Sequence, residues 1–195
     1  MPARRHLILA STSPYRRQLL ERLRIPFDVA NPRVDEAELP GETPEALCLR
    51  LAIAKARAVS GEHPDALIIG SDQVAVLDGR ALSKPGDHAN AVAQLRAMRG
   101  RSITFLTAVA VHDAASGRTL SRVVSTDVAF RDYADEDIER YLELDRPYDC
   151  AGSAKSEGLG IVMIRSLRGD DPNALIGLPL VALVDLLAEH GYAVL

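Results

Sequence analysis

Two cysteines among 195 residues, Cys48 and Cys150, are too few for a disulfide framework and too far apart for paired metal-ligand spacing. They read as reduced thiols, which fits a cytoplasmic protein. No apolar run approaches the ~18 residues of a membrane span. The apolar stretch at 7–10, behind the basic start Met-Pro-Ala-Arg-Arg-His, is shorter than the ~7–15 residues of a signal-peptide core. A cytoplasmic location with no membrane association is therefore expected. Tryptophan is absent, aromatic residues make up 4%, and 23 Lys and Arg face 27 Asp and Glu for a net charge of -4. Without surplus positive charge or rings on which bases could stack, a nucleic-acid-binding module is disfavoured. The histidines, at 6, 63, 88, 112 and 190, show no ligand spacing.

What remains is an ordinary globular composition, 47% hydrophobic and 26% charged, with no repeat or low-complexity segment. The length suits one substantial domain, or two lobes sharing a core. A buried strand at 7–10 gives way at Ser11-Thr12-Ser13-Pro14 to a helix with Ser13 as N-cap and Pro14 at its first position, ending near Arg24. A strand at 27–29 leads into a polar loop through Gly41, and Thr43-Pro44-Glu45 opens a second helix that runs to about 60. Residues 66–77 form a nearly continuous apolar strand interrupted by Ser71, Asp72 and Gln73. A helix over 87–98, a hairpin of 103–112 with 119–130, a helix over 135–143, a strand at 160–164 and a closing helix over 178–190 complete an α/β order.

Several residues stand out chemically. At 11–17 a strand, a hydroxyl-rich turn and a helix N-terminus place backbone N–H groups, Ser11, Ser13 and two guanidinium groups where an anion such as a phosphate would be held. Arg16 falls within the arc of Leu19, Leu20 and Leu23, so it is not a solvated arginine along that face. A capped helix with incidental basic residues is the alternative. Lys55 projects into the apolar face of the second helix, nearly opposite Arg50 and Arg57, which mark its wet side. It either snorkels outward or neutralises an anion held in a cleft. Asp72 lies within the most apolar strand, where a carboxylate requires a partner, a hydrogen bond or a cation, and Glu36 in Val34-Asp35-Glu36 is its candidate companion. Lys84 sits in a turn. Three glycines frame Lys155 and Glu157 in the segment 152–160, which could admit a ligand closely or serve as a flexible linker.

In order and spacing, Leu9-Ala10-Ser11-Thr12-Ser13-Pro14-Tyr15-Arg16-Arg17, Val34-Asp35-Glu36, Ala54-Lys55-Ala56, Gly70-Ser71-Asp72-Gln73-Val74, Lys84-Pro85 and Gly177-Leu178-Pro179-Leu180 together resemble the Maf family over essentially the whole chain. The resemblance implies a single Maf-like domain over 1–195, an α/β fold related to inosine triphosphatases, with two lobes around an elongated mixed sheet and a central cleft. It also implies a nucleoside triphosphate pyrophosphatase, often a homodimer, that uses Mg²⁺ or Mn²⁺. Ser11, Ser13, Arg16, Lys55 and Lys84 would hold the triphosphate. Glu36 and Asp72 would serve the metal, and Asp72 would accept the proton of the attacking water. Tyr15, Gln73 and Glu157 stand where the dTTP- and UTP-hydrolysing branch has Arg, Thr and Gln. With the segments 152–160 and 169–173 they are close to the branch known as 7-methyl-GTP pyrophosphatases, although Ala154 is smaller than the aromatic residue of that branch. The alternatives are a house-cleaning pyrophosphatase for dTTP, UTP or modified nucleotides, and a nucleotide-sensing regulator of cell division without turnover.

Overall fold

Four consecutive apolar residues, Leu7–Ala10, form the fully buried strand β1 of a computed structural model that describes residues 5–195. The basic start at 1–4, part of the signal-peptide expectation, lies outside the described residues. Around β1 the chain forms a mixed α/β fold. The strands β2 (Asp28–Ala30), β3 (Leu67–Leu77), β4 (Arg80–Leu82), β5 (Ser102–Asp113), β6 (Thr119–Phe130) and β7 (Ile164–Arg168) join it in the order β2-β1-β3-β5-β6-β7, with β4 paired to β3. β1 is parallel to both β2 and β3, whereas β4 on β3 and β7 on β6 are antiparallel.

The chain divides into two compact units. The first holds the described residues up to Asp72 with Thr107–Val124 and Asp171–Leu195, and the second holds Gln73–Leu106 with Ser125–Asp170. In the first, the helices α1 (Pro14–Glu21), α2 (Pro44–Ala58) and α5 (Leu180–Glu189) accompany β1, and a core that includes Leu9, Leu20, Ile69, Val109 and Leu183 excludes water. In the second, α3 (His88–Met98) and α4 (Asp135–Asp145) pack together, with the Tyr133 hydroxyl donating to the Leu95 carbonyl at 2.8 Å.

The helix starts follow from local chemistry. Ser13, Thr43 and Asp87 each accept a hydrogen bond from the backbone N–H three residues on, and proline occupies the first position of α1 and α2. Such a cap contributes about 1 kcal/mol. Three expectations shift. The first helix ends at Glu21 rather than near Arg24, because Arg24 turns left-handed (φ 53°) ahead of Pro26, which disfavours helical backbone before it. The last helix starts at Leu180, two residues after the 178 expected, because Gly177 (φ 118°) and Pro179 form its entry. The strand expected at 160–164 is instead a 3-10 segment, Leu159–Met163, followed by β7. Within it Gly160 is packed so closely that a Cβ would stand 2.6 Å from the backbone N of Lys155.

Burial lowers the pKa of His112 and His190 in the first unit, Arg57 adding to the effect at His112 and Arg118 at His190, while Asp113 opposes it at both. His112 Nδ1 lies 2.9 Å from Thr119 Oγ1, and His190 donates to the Val111 carbonyl at 3.2 Å. Burial in the fold thus favours the neutral form of both rings, against the Val111 hydrogen bond at His190, which favours the charged form. The unfolded chain takes up more protons once pH falls below the ordinary value of about 6.5, so this contribution is complete above that pH and is lost as pH drops through the lower folded values. Thermal unfolding followed from about pH 8 to pH 5 should show Tm falling over the acidic half of that range, and His112→Gln with His190→Gln should flatten the slope. An unchanged slope in that double variant would assign the acid sensitivity to other groups.

Candidate active site

The geometry around Asp72 begins with Gly70. A Cβ at that position would stand 2.2 Å from the Ala52 carbonyl oxygen and 2.6 Å from the Ala56 nitrogen. Only a glycine lets β3 approach the backbone of α2 this closely. Two residues on, Asp72 meets the helix face that carries Lys55. Lys55 Nζ lies 2.7 Å from Asp72 Oδ1 and 2.5 Å from Glu36 Oε1. Its side chain is 7% exposed, that of Asp72 10%, and that of Glu36, on the loop before α2, 49%. The Lys55 ammonium does not snorkel outward; it pairs with two carboxylates of the chain itself. The Cys48 thiol donates to the backbone carbonyl of Asp72 at 3.2 Å from behind. Two carboxylates thus share one buried ammonium, and their charges also act on the Arg16 guanidinium.

The entry to α1 forms the second group. Ser11 is buried, and its Oγ accepts from the Ser13 N–H at 3.1 Å, while Ser13 Oγ accepts from the Arg16 N–H at 3.4 Å. Tyr15 is half-buried beside them in sequence. Arg16 is not solvated along its length, because its Nε donates to the Gly177 carbonyl at 2.8 Å. Burial lowers the pKa of its guanidinium, and the charges of Asp72 and Glu36 work in the opposite direction. The Gly177 carbonyl also accepts from the Ser71 hydroxyl at 2.9 Å, and that hydroxyl lies 2.7 Å from the Ala108 carbonyl. Ser71, which the sequence marked as an interruption of the strand within a family motif, thus ties β3 to the turn that holds Arg16.

The second unit holds Gln73, Lys84 and Glu157. Gln73 is half-buried on β3, directly after Asp72. Lys84 is exposed between two anchored neighbours, since Gln94 donates to the Ser83 carbonyl at 2.8 Å and Asn90 to the Pro85 carbonyl at 3.0 Å. Glu157 is exposed in a turn, with Ser156 Oγ 3.4 Å from its carboxylate. The glycine-framed segment is no flexible linker. Gly152 (φ 69°) would bring a Cβ within 3.0 Å of the Phe105 ring, Ser153 Oγ lies 2.6 Å from Gln94 Oε1, and the Lys155 N–H donates to the Tyr141 hydroxyl at 3.1 Å.

Comparison with known proteins decides the lineage. The family model described as Maf-like protein matches residues 6–190. The chain belongs to the Maf family. It is 56% identical over 194 residues to a protein of Albidiferax ferrireducens called 7-methyl-GTP pyrophosphatase, covering 100% of this chain and 98% of that one. It is 57% identical over 189 residues to a protein of the same name from Methylobacillus flagellatus, covering 97% and 98%. Among solved structures, the Staphylococcus aureus Ham1 protein is similar over 66% of this chain and 73% of its own, at 17% identity and a TM-score of 0.47, too slight a likeness to carry an argument.

Within this Maf-family chain, no group of three or more His, Cys, Asp and Glu suited to a metal occurs among the described residues. The donors that do converge are the two hard carboxylates Glu36 and Asp72. Mg²⁺ keeps several waters and takes one or two carboxylates together with substrate phosphates, so this pair fits a cation shared with a nucleotide rather than an all-protein cage. No helix among the described residues is long and apolar enough to cross a membrane.

One interaction beside Glu36 escaped the sequence reading. Arg50, taken as part of the wet side of α2, turns its guanidinium to the loop that carries Glu36, donating to Glu42 at 2.6 and 2.8 Å and to the Ala37 carbonyl at 2.9 Å. A second network serves the fold. Asp171 is buried and accepts from the N–H groups of Asn173 at 2.9 Å and Val181 at 2.7 Å, capping the start of α5, while Arg22 donates to the Asn173 side chain.

Proposed function

We propose that this Maf-family chain, a single domain over 1–195, is a nucleoside triphosphate pyrophosphatase that converts 7-methyl-GTP and water to 7-methyl-GMP and pyrophosphate. The observation that carries this reading is the cluster of Lys55 with Glu36 and Asp72, a buried cation bridging two carboxylates. Simple nucleotide binding does not need a base for water, whereas hydrolysis does. The names of the relatives from Albidiferax and Methylobacillus support the same chemistry.

In this proposal Asp72 takes the proton of a water as its oxygen bonds to the α phosphorus and the bond to the bridging αβ oxygen breaks, so that pyrophosphate leaves with that oxygen. The N–H groups at the start of α1, Ser11, Ser13 and Arg16 hold phosphate oxygens. Lys55 exchanges carboxylate contacts for phosphate, and Lys84 adds positive charge to the triphosphate. Glu36 and Asp72 would hold the divalent cation, Mg²⁺ or Mn²⁺, which when bound supplies charge neutralisation on the phosphates. For the base, Tyr15 offers a ring to the delocalised positive charge of 7-methylguanine, a cation–π contribution of about 0.5–2 kcal/mol that a neutral base receives only weakly. Glu157 accepts from the guanine N1–H and amine, whereas uracil or thymine would oppose a carbonyl to it. Gln73 reads a further edge of the nucleoside.

Pyrophosphate release should be measured for 7-methyl-GTP, GTP, dTTP and UTP with Mg²⁺ and with Mn²⁺. The expected order of kcat/KM is 7-methyl-GTP first, GTP next and the pyrimidines last, with Glu157→Gln narrowing the spread. A wild-type preference for dTTP or UTP would make it a house-cleaning pyrophosphatase and overturn the base assignment. Tight binding of nucleotides without pyrophosphate release would overturn the enzyme assignment.

A further inference from the structure

Glu36 lies on an irregular and largely exposed stretch, 31–43, between β2 and α2. A carboxylate on such a loop is held in one place only if the backbone beside it is held, because an unanchored loop samples many conformations. The anchor comes from α2 itself. Arg50 grips Glu42 with two N–H groups, Nε to Oε1 at 2.6 Å and Nη2 to Oε2 at 2.8 Å, and its Nη2 also donates to the carbonyl of Ala37, the residue next to Glu36, at 2.9 Å. Glu42 in turn accepts from the Leu39 N–H at 3.1 Å, and the Glu42 N–H donates to the Leu39 carbonyl at 3.0 Å, closing the loop on itself. The Glu42 side chain is 8% exposed, and the Arg50 hydrogen bonds hold its pKa down at about 2. The guanidinium thus favours the ionised form of the Glu42 carboxyl. Lys55, five residues along the same helix, receives the Glu36 carboxylate at 2.5 Å. One helix thus fixes the loop on both sides of the Glu36 carbonyl carbon, through Arg50 on Ala37 and through Lys55 on the carboxylate.

We infer that Arg50, with Glu42 as its counter-ion, is a positioning residue for Glu36, acting on the reaction only through that carboxylate. A bidentate guanidinium is needed because it must hold a carboxylate and a carbonyl at once, which the single ammonium of a lysine does not reproduce. This rests on the pyrophosphatase reading for its kinetic consequence, but its structural consequence does not depend on turnover.

The test is a double-mutant cycle with a second, activity-independent readout. Arg50→Met, Arg50→Lys and Glu42→Gln should each lower kcat for 7-methyl-GTP about 10-fold or more and raise the Mg²⁺ concentration for half-maximal rate, with the nucleotide KM nearly unchanged, as for a group that positions rather than binds substrate. In a Glu36→Gln background, Arg50→Met should cost nothing further. Hydrogen–deuterium exchange of the nucleotide-free protein should accelerate over residues 35–42 in Arg50→Met and in Glu42→Gln, with the core of the first unit as protected as in the wild type. Additive losses in the cycle, or unchanged exchange at 35–42, would overturn the inference. Absence of pyrophosphate release from the wild type would sink the proposed function instead, and the exchange result would then decide on Arg50 alone.

Discussion

Asp72→Asn is expected to fold like the wild type and to lose about 10²–10⁴-fold in kcat, the range typical for removal of a general base. The fold should survive because the substitution keeps shape and an acceptor oxygen for Lys55 Nζ, and the contact from the Cys48 thiol is to the backbone carbonyl, which does not change. The amide cannot take a proton from water, and it removes the second negative ligand that would draw a divalent cation. Circular dichroism and thermal unfolding compared with pyrophosphate release at saturating Mg²⁺ separate the two effects. A variant with wild-type kcat would remove Asp72 from the chemistry.

Lys55→Met should lose turnover about 100-fold or more, and the contacts of Lys55 set the sign of the stability change. From the sequence alone, a methionine in the apolar arc of α2 would be neutral or stabilising. The structure places the ammonium between Asp72 and Glu36, with Asp72 nearly buried. Removing one partner of a buried pair leaves an uncompensated charge, a loss of about 3 kcal/mol. Lys55→Met with Asp72→Asn should recover most of that loss, because the stranded charge is then gone. Denaturant unfolding of the two single variants and the double variant gives the coupling directly. Equal stability of Lys55→Met and the wild type would show that Glu36 and Asp72 repel each other too weakly to need the lysine.

These contacts show where the sequence was legible. Ser13 with Pro14 and Thr43 with Pro44 announced two helix starts, because capping is chemistry within four residues. Lys55 and Asp72 were conspicuous as charges inside apolar patterns, yet nothing local said that they meet, 17 residues apart, across a glycine contact. The family resemblance gave the two residues separate roles, Lys55 on the triphosphate and Asp72 on the metal and the water, and did not pair them. Arg50 was misread for a physical reason. A helix projection gives a charge on the polar side of a helix to water, but the partner of Arg50 is a loop without periodicity, whose path no pattern reveals. The strand expected at 160–164 failed in the same way. A short apolar run does not tell strand from turn, and the tight packing of Lys155 and Tyr141 around Gly160 is a contact that no local pattern announces. Ser71 and Gly177 were visible only as members of motifs, and their shared carbonyl bond gives those motifs a structural cause.

The central claim is attack of water at the α phosphorus with Asp72 as the base, and hydrolysis of 7-methyl-GTP in ¹⁸O-labelled water tests it most directly. Mass spectrometry of the products should find one labelled oxygen in 7-methyl-GMP and none in pyrophosphate, with the reaction abolished in Asp72→Asn. Label in pyrophosphate, or release of orthophosphate in its place, would put the attack at the β or γ phosphorus and contradict the account.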